Sequence, residues 1–233
     1  MKFRHEQKYL INYSDYTVIK TRLDKLLEKD ENTNEENFYH IRSLYFDDIF
    51  NKAYHEKYMG VMNRSKFRIR IYNGSDDVIN LERKLKSDRY IYKQSAPLTK
   101  DQFYSILDND YSFLFRSEKE LHQVFYYECT THLMRPRVIV DYEREPYVLD
   151  TGRLRITFDM NLRAGLEGFD LFNAEMPMVE VLDPGQMVLE VKYAELIPKV
   201  IREVLPVKAA DYAAVSKYIL CCDKTVHKKL SYY

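Results

Sequence analysis

The stretch Ser65–Gly74, SKFRIRIYNG, sets Lys66, Arg68 and Arg70 in alternation with Phe67, Ile69 and Ile71. A period of two places three cations on one face of a β-strand and three apolar side chains on the other. Same-face neighbours stand about 7 Å apart along a strand and repel one another. Something anionic is expected to face them.

The same division recurs outward along the chain. FRHEQKYLI puts Arg4, Glu6 and Lys8 on one face, and VINLERKLK puts Asn80, Glu82, Lys84 and Lys86 opposite Ile79, Leu81 and Leu85. RLRITFDMNLRA divides Arg153, Arg155, Thr157, Asp159, Asn161 and Arg163 from Leu154, Ile156, Phe158, Met160 and Leu162. MVLEVKYAE divides Glu190 and Lys192 from Met187, Leu189, Val191 and Tyr193. For one strand alone, the wet side of an antiparallel sheet, laced with weak surface ion pairs, explains such a face. Two features of the set go further. Arg-x-Arg occurs at 68/70 and again at 153/155, and the guanidinium fork suits bidentate phosphate or carboxylate recognition rather than mere solubility. Bases also outnumber carboxylates on these faces, although the chain is balanced, with 36 Lys plus Arg and 36 Asp plus Glu. If the sheet curls with its apolar face outward under helices, the charges line an enclosed channel where unpaired ions are costly. A threaded polyanion would cancel that cost.

At 233 residues the chain can bury a sizeable core, and a single domain over 1–233 is expected. Neutral balance gives no general case for nucleic acid or an anionic membrane as a partner. No apolar run approaches the roughly 18 residues of a bilayer span, and the start MKFRHEQKYL is not a signal peptide, so a cytoplasmic chain without a transmembrane segment is expected. Cys129, Cys221 and Cys222 are odd in number and lack metal-ligand spacing, which fits unpaired structural thiols. His5, His40, His55, His122, His132 and His227 are scattered, and none is expected to bind metal.

The pattern predicts an amphipathic helix from a Ser14 or Asp15 cap, with Val18, Ile19, Leu23, Leu26 and Leu27 as its apolar residues. A solvated acidic loop follows, then a strand at IRSLYFDD and a short helix over Ile49–Tyr58. Strands at 66–72 and 78–86 precede two helical stretches, TKDQFYSILDN capped by Thr99 and SEKELHQVFYYECTTH. RPRVIVDYEREPY, RLRITFDMNLRA and MVLEVKYAE read as strands, with a short one at Met178–Leu182. Two helices, split near Pro206, end the chain. Interleaved antiparallel strands and helices make the class α+β.

RHEQKY, KFRIRIY, LERK, YEREPY, RLRITFD, VLEVKY and SKY, in that order between Arg4 and Tyr218, resemble the VTC-type polyphosphate polymerase domain of the triphosphate tunnel metalloenzyme superfamily. The resemblance implies an antiparallel β-barrel tunnel of about eight strands flanked by helices. It also implies a Mn²⁺- or Mg²⁺-dependent phosphotransferase that moves the terminal phosphoryl group of a nucleoside triphosphate, ATP, onto phosphate or polyphosphate. Carried over by motif, Lys8, Arg68, Arg70, Lys84 and Lys93 would grip phosphate oxygens, joined by Arg144, Arg155 and, from the last helix, Lys217. Glu190 would hold the metal, and Glu6 and Glu82 match tunnel carboxylates. Arg144 shares parity with Val138, Val140 and Tyr142, which puts it on an apolar side unless the strand bulges near Glu143. Hydrolytic relatives open with Glu-x-Glu-x-Lys, where this chain has Arg4-His5-Glu6-Gln7-Lys8. Losing the first carboxylate tilts the expectation from hydrolysis toward transfer. A tunnel triphosphatase and a non-catalytic polyphosphate-binding module are the competing readings.

Overall fold

The structure, a computed structural model, describes residues 5–30, 33, 37–87, 90–149, 154–194, 196–205 and 215–230. Arg4, Arg153, the expected break at Pro206 and the side chain of His227 lie outside the described residues. The elements are β1 (His5–Asn12), α1 (Tyr13–Leu23), β2 (Glu28–Lys29), β3 (Tyr39–Asp47), α2 (Lys52–Tyr58), β4 (Arg64–Tyr72), β5 (Ser75–Ser87), β6 (Tyr90–Leu98), α3 (Lys100–Leu107), α4 (Ser112–Phe115), α5 (Glu120–Thr131), β7 (Arg135–Leu149), β8 (Leu154–Gly165), β9 (Met178–Glu180), β10 (Gln186–Tyr193), α6 (Lys199–Arg202) and α7 (Lys217–Leu230). Eight strands pair in the order β1-β10-β8-β7-β3-β4-β5-β6, with β2 added on β7 and β9 on β8. The expected α+β class and eight-stranded antiparallel path are therefore present. Among the described residues no helix is long and apolar enough to cross a membrane.

The chain divides into two compact units, each built from three segments. The first comprises Met1–His40, Tyr142–Leu162 and Glu180–Ser216. Its apolar core joins Tyr9 and Ile11 of β1, Ile156 and Phe158 of β8, and Leu189 and Val191 of β10 to Ile19 and Leu23 of α1 and Ile201 of α6. Helices thus cover the apolar parity face of these strands. The N-cap of α1 is Asn12 rather than Ser14 or Asp15: its side chain accepts from Asp15 N at 2.9 Å, and Asp15, at N3, accepts from Asn12 N at 3.4 Å. Asp15 completes the reciprocal cap instead of starting the helix. Val18, inside α1, and Leu26, beyond its end at Leu23, are exposed, although the helical spacing put both among the apolar residues.

The second unit comprises Ile41–Asp141, Arg163–Val179 and Lys217–Tyr233. Phe67, Ile69 and Ile71 of β4 pack with Leu81 of β5 and Phe46 of β3 beneath Phe103 of α3 and Phe125 of α5. β4 turns into β5 at Asn73-Gly74, both at positive φ (51° and 67°), the pair that a tight hairpin of primed type requires. Thr99 caps α3 as predicted, in a capping box with Gln102. β6 is a strand where none was expected. Its sequence YIYKQSAPL carries a proline, tolerable because β6 ends the strand path and offers an unpaired edge. Cys129, Cys221 and Cys222 are free and buried, and burial pushes the Cys129 thiol up to about 12.

Two charged clusters and the candidate active site

In the second unit the register aligns the ionic residues into rows. Lys66 of β4 sits opposite Lys84 of β5, which sits opposite Lys93 of β6. The next row is Tyr45, Arg68, Glu82 and Ser95, and the one beyond contains Ser43, Arg70 and Asn80. These rows hold five cations, Lys66, Arg68, Arg70, Lys84 and Lys93, against the one carboxylate of Glu82. Directly opposed side chains have Cβ atoms about 5 Å apart, where like charges are destabilising.

Glu82 is 2 % exposed and carries much of the compensation. Its Oε2 accepts from Arg68 Nε at 2.7 Å and lies 2.6 Å from Arg68 Nη2, while Lys93 Nζ stands 2.5 Å from Oε1. Burial alone would raise this carboxyl, but Arg68, Arg70 and Lys93 outweigh it and hold the group at about 2. A depressed carboxyl contributes stability above its ordinary value of 4.5 that is lost as pH falls toward 2. The shift corresponds to about 3 kcal/mol. Denaturation of wild type and Glu82→Gln should therefore show the stability difference shrinking from about pH 6 to pH 3. A difference constant with pH would contradict the pairing.

The remaining donors of this cluster are also placed. Arg68 Nη1 donates to the Tyr45 hydroxyl at 2.8 Å, and Arg70 Nε donates to Ser43 Oγ at 3.1 Å. Burial would raise the Tyr45 phenol, yet Arg68, Arg70 and Lys217 bring it below its ordinary value. That effect places Lys217, at the start of α7, in the field of the same cluster. The Tyr218 ring stacks on Tyr45 at 5.1 Å, lies 4.5 Å beneath Lys66 Nζ, and its hydroxyl donates to Asp47 at 2.5 Å.

The first unit carries a cluster of different balance. Glu6, Lys192 and Arg155 form one row across β1, β10 and β8, and Lys8, Glu190 and Thr157 the next. Lys8 Nζ is 3.0 Å from Glu6 and 3.5 Å from Glu190, and Lys192 pairs with the other oxygen of Glu190. Burial would lower Lys8, but Glu190 and Glu6 reverse this and raise it. At Lys192 burial prevails, with Arg144 adding to it, and the ammonium drops to about 8. Arg144 is held bidentately by Asp159, at 2.6 and 2.8 Å. Arg155 donates to the Tyr39 hydroxyl at 2.8 Å and pairs with Asp30 at 2.8 Å. Four cations here meet four carboxylates, whereas the rows of the second unit set five cations beside the one carboxylate of Glu82.

Arg144 lies with the ionic residues, against the expectation from parity. It shares its face with Val138, Val140 and Tyr142; both valines are buried but lie outside the two apolar clusters, whereas Ile139, of opposite parity, belongs to one. Arg144 also lies over the Tyr142 ring at 5.3 Å. Two buried valines at the head of the strand thus share a face with an arginine that is paired to a buried carboxylate.

The first unit also offers hard oxygen donors. Glu190 is 5 % exposed, and the Thr157 hydroxyl directly across from it is buried without a hydrogen-bond partner among the described residues. A carboxylate beside an unsatisfied hydroxyl suits Mg²⁺ or Mn²⁺ rather than a thiophilic metal. Among the described residues no three His, Cys, Asp or Glu side chains form a metal centre by themselves, so most of a hard cation's shell would come from other oxygen donors.

Tyr45, Tyr39 and Asp30 were not singled out by the sequence. Tyr45 could have been found by carrying the parity of β4 across to β3; Asp30 sits in an acidic loop with no such signal.

A family model for the VTC domain matches residues 3–226. No curated protein matches in sequence. Among solved structures, HpAC1 of Hippeastrum, a proposed adenylyl cyclase described as having a dominant triphosphatase activity, is similar at a TM-score of 0.55 and 12 % identity, covering 96 % of each chain. The PH1012 protein of Pyrococcus horikoshii aligns at 0.51 and 13 %, over 94 % of this chain and 99 % of its own. A proposed adenylate cyclase of Bacillus halodurans aligns at 0.50 and 12 %, over 100 % and 91 %. At such identities the likeness is one of fold.

Proposed function

The chain belongs to the VTC domain family, and from that premise we propose that it is a metal-dependent phosphotransferase extending polyphosphate from ATP. The observation that carries this reading is the row Lys66, Lys84 and Lys93 beside Arg68 and Arg70, five cations that share these rows, among the described residues, with the one carboxylate of Glu82. A chain of phosphates, with about one charge per residue, fits such a surplus better than a mononucleotide product would. The family match runs through segments of both units, which supports reading residues 1–233 as one domain.

In the proposed reaction an oxygen of the acceptor phosphate attacks the γ-phosphorus of ATP. The bond from that phosphorus to the β–γ bridging oxygen breaks, and ADP leaves with the electron pair. Charge in the loose transition state sits on oxygens, so fixed cations do most of the work. Arg68, Arg70, Lys84, Lys93 and Lys217 bind those oxygens from the second unit, with Glu82 and Tyr45 orienting Arg68. Lys8, Arg144 and Arg155 serve as further phosphate contacts in the first unit, where Glu6 and Asp159 set the positions of Lys8 and Arg144. Glu190, with Thr157 across from it, would hold Mn²⁺ or Mg²⁺, which when bound supplies Lewis-acid neutralisation of phosphate oxygens. An anionic acceptor needs no general base.

Hydrolysis of triphosphate is the second reading, favoured by the fold shared with HpAC1. Incubation with ATP and Mn²⁺ separates the two. Chains resolved on a gel are the expected product; free phosphate without chains would assign a triphosphatase, and polyphosphate binding without turnover a silent module.

A further inference from the structure

We infer that the Tyr45 hydroxyl is itself a phosphate contact of the second unit, a neutral donor that gives its hydrogen bond to an oxygen of the bound phosphate chain. This deepens the phosphotransferase reading and rests on its assignment of phosphate to the cluster around Arg68 and Arg70.

A phenol both accepts hydrogen bonds and donates one. At Tyr45 the accepting side is engaged: Arg68 commits Nε and Nη2 to Glu82 and donates from Nη1 to the Tyr45 oxygen at 2.8 Å. Among the described residues that is the one hydrogen bond of this hydroxyl, and Tyr45 gives no proton in it. The cations whose fields act on the phenol are Arg68 and Arg70 of β4 and Lys217 of α7, and guanidinium and ammonium groups have nothing to accept with. The carboxylates of its row and its strand are engaged elsewhere. Glu82 takes Arg68 and Lys93, and Asp47 takes the Tyr218 hydroxyl and the amides of Asp48, Ala53 and Tyr54. A hydroxyl set among donors turns its proton to an anion that enters.

The ring is held for that task. It stacks on Tyr218 with centroids 5.1 Å apart, the Arg68 guanidinium carbon lies 5.7 Å from its centroid, and Tyr218 is itself tied to Asp47 beneath Lys66. A donor fixed in this way needs no reorganisation when charge develops on phosphate oxygens. Burial raises the phenol, but Arg68, Arg70 and Lys217 more than offset this and hold it below its ordinary value of 10.0. The more acidic phenol donates more strongly, and the cost appears in alkali: the phenolate has no proton to give and repels phosphate.

Calorimetric binding of inorganic triphosphate without metal, from pH 7 to pH 10, tests the inference apart from turnover. At pH 7 Tyr45→Phe should bind about 10-fold more weakly than wild type. The gap should close as pH rises toward 10, because wild type loses its donor there while the variant has none to lose. Phe keeps the ring over Tyr218, so circular dichroism and thermal unfolding should match wild type. Incorporating 3-fluorotyrosine at position 45, a more acidic phenol of nearly the same size, should move the alkaline fall to lower pH. Absence of triphosphate binding by wild type would remove the phosphate reading and this inference with it. Wild-type binding matched by the Phe variant would remove the inference alone. Weaker binding by the variant, with an alkaline fall that neither Phe nor fluorine moves, would reduce Tyr45 to a positioning residue for Arg68 and overturn the contact.

Discussion

Glu190→Ala loses phosphoryl transfer by a factor of about 10³ while its affinity for polyphosphate holds or rises. The carboxylate is the proposed metal ligand, so its loss removes charge neutralisation needed in the transition state rather than in the ground state, and kcat falls rather than KM rising. Binding of the bare polyanion responds in the opposite sense. Glu190 faces Lys8 and Lys192 on either side, and deleting it removes a carboxylate from both ammonium groups while Lys8 keeps its pair with Glu6. The side chains of Lys8 and Lys192 are 22 % and 31 % exposed, so water offsets part of their loss and the fold survives. Single-turnover assays with ATP and Mn²⁺, beside polyphosphate binding without metal at low salt, check both halves. Turnover at the wild-type rate would remove Glu190 from its role; a variant that binds polyphosphate far more weakly would show the carboxylate to be structural.

Why the ionic faces could be read from sequence, and the cluster geometry only in part, follows from what a period of two reports. Alternation assigns each residue of one strand to a side, so Lys66, Arg68 and Arg70, Glu82 and Lys84, and Glu190 and Lys192 fall into place without any contact being known. It carries no register between strands. That Lys84 lies between Lys66 and Lys93, or that Glu82 rather than Asn80 meets Arg68, depends on the Asn73-Gly74 turn, on the register shift between Arg70 and Tyr72, and on a strand, β6, whose proline hid it. Nor does alternation say which side is the core when apolar residues stand on both, as in β7. There Ile139 joins the helix-covered cluster, while Val138 and Val140 share the face of Arg144. The oversized prediction for α1 has a different cause: Leu26 and Leu27 continue the helical spacing past Leu23, but the chain turns there toward β2. Asp30, next after β2, then pairs with Arg155, a contact no local pattern encodes.

Arg144→Ala should be the most destabilising single change among the proposed phosphate contacts, by about 3–5 kcal/mol. Asp159 is fully buried and accepts two hydrogen bonds from this guanidinium, so truncation takes a bidentate cation from a buried carboxylate. Arg144→Lys keeps the charge but not the fork and should recover only part of the loss. Removing both partners tests whether the cost is the orphaned charge: Arg144→Ala with Asp159→Ala should be more stable than Arg144→Ala alone, by urea denaturation at constant m-value. The double variant also separates the two roles assigned to Arg144. Its cluster has lost one cation and one carboxylate, so its net charge matches wild type and nonspecific attraction of a polyanion is unchanged. If Arg144 contacts phosphate itself, the restored fold will still bind polyphosphate about tenfold or more weakly. If Arg144 serves only to neutralise Asp159 beside Glu190, stability and affinity will return together, and the phosphate contacts of the first unit reduce to Lys8 and Arg155.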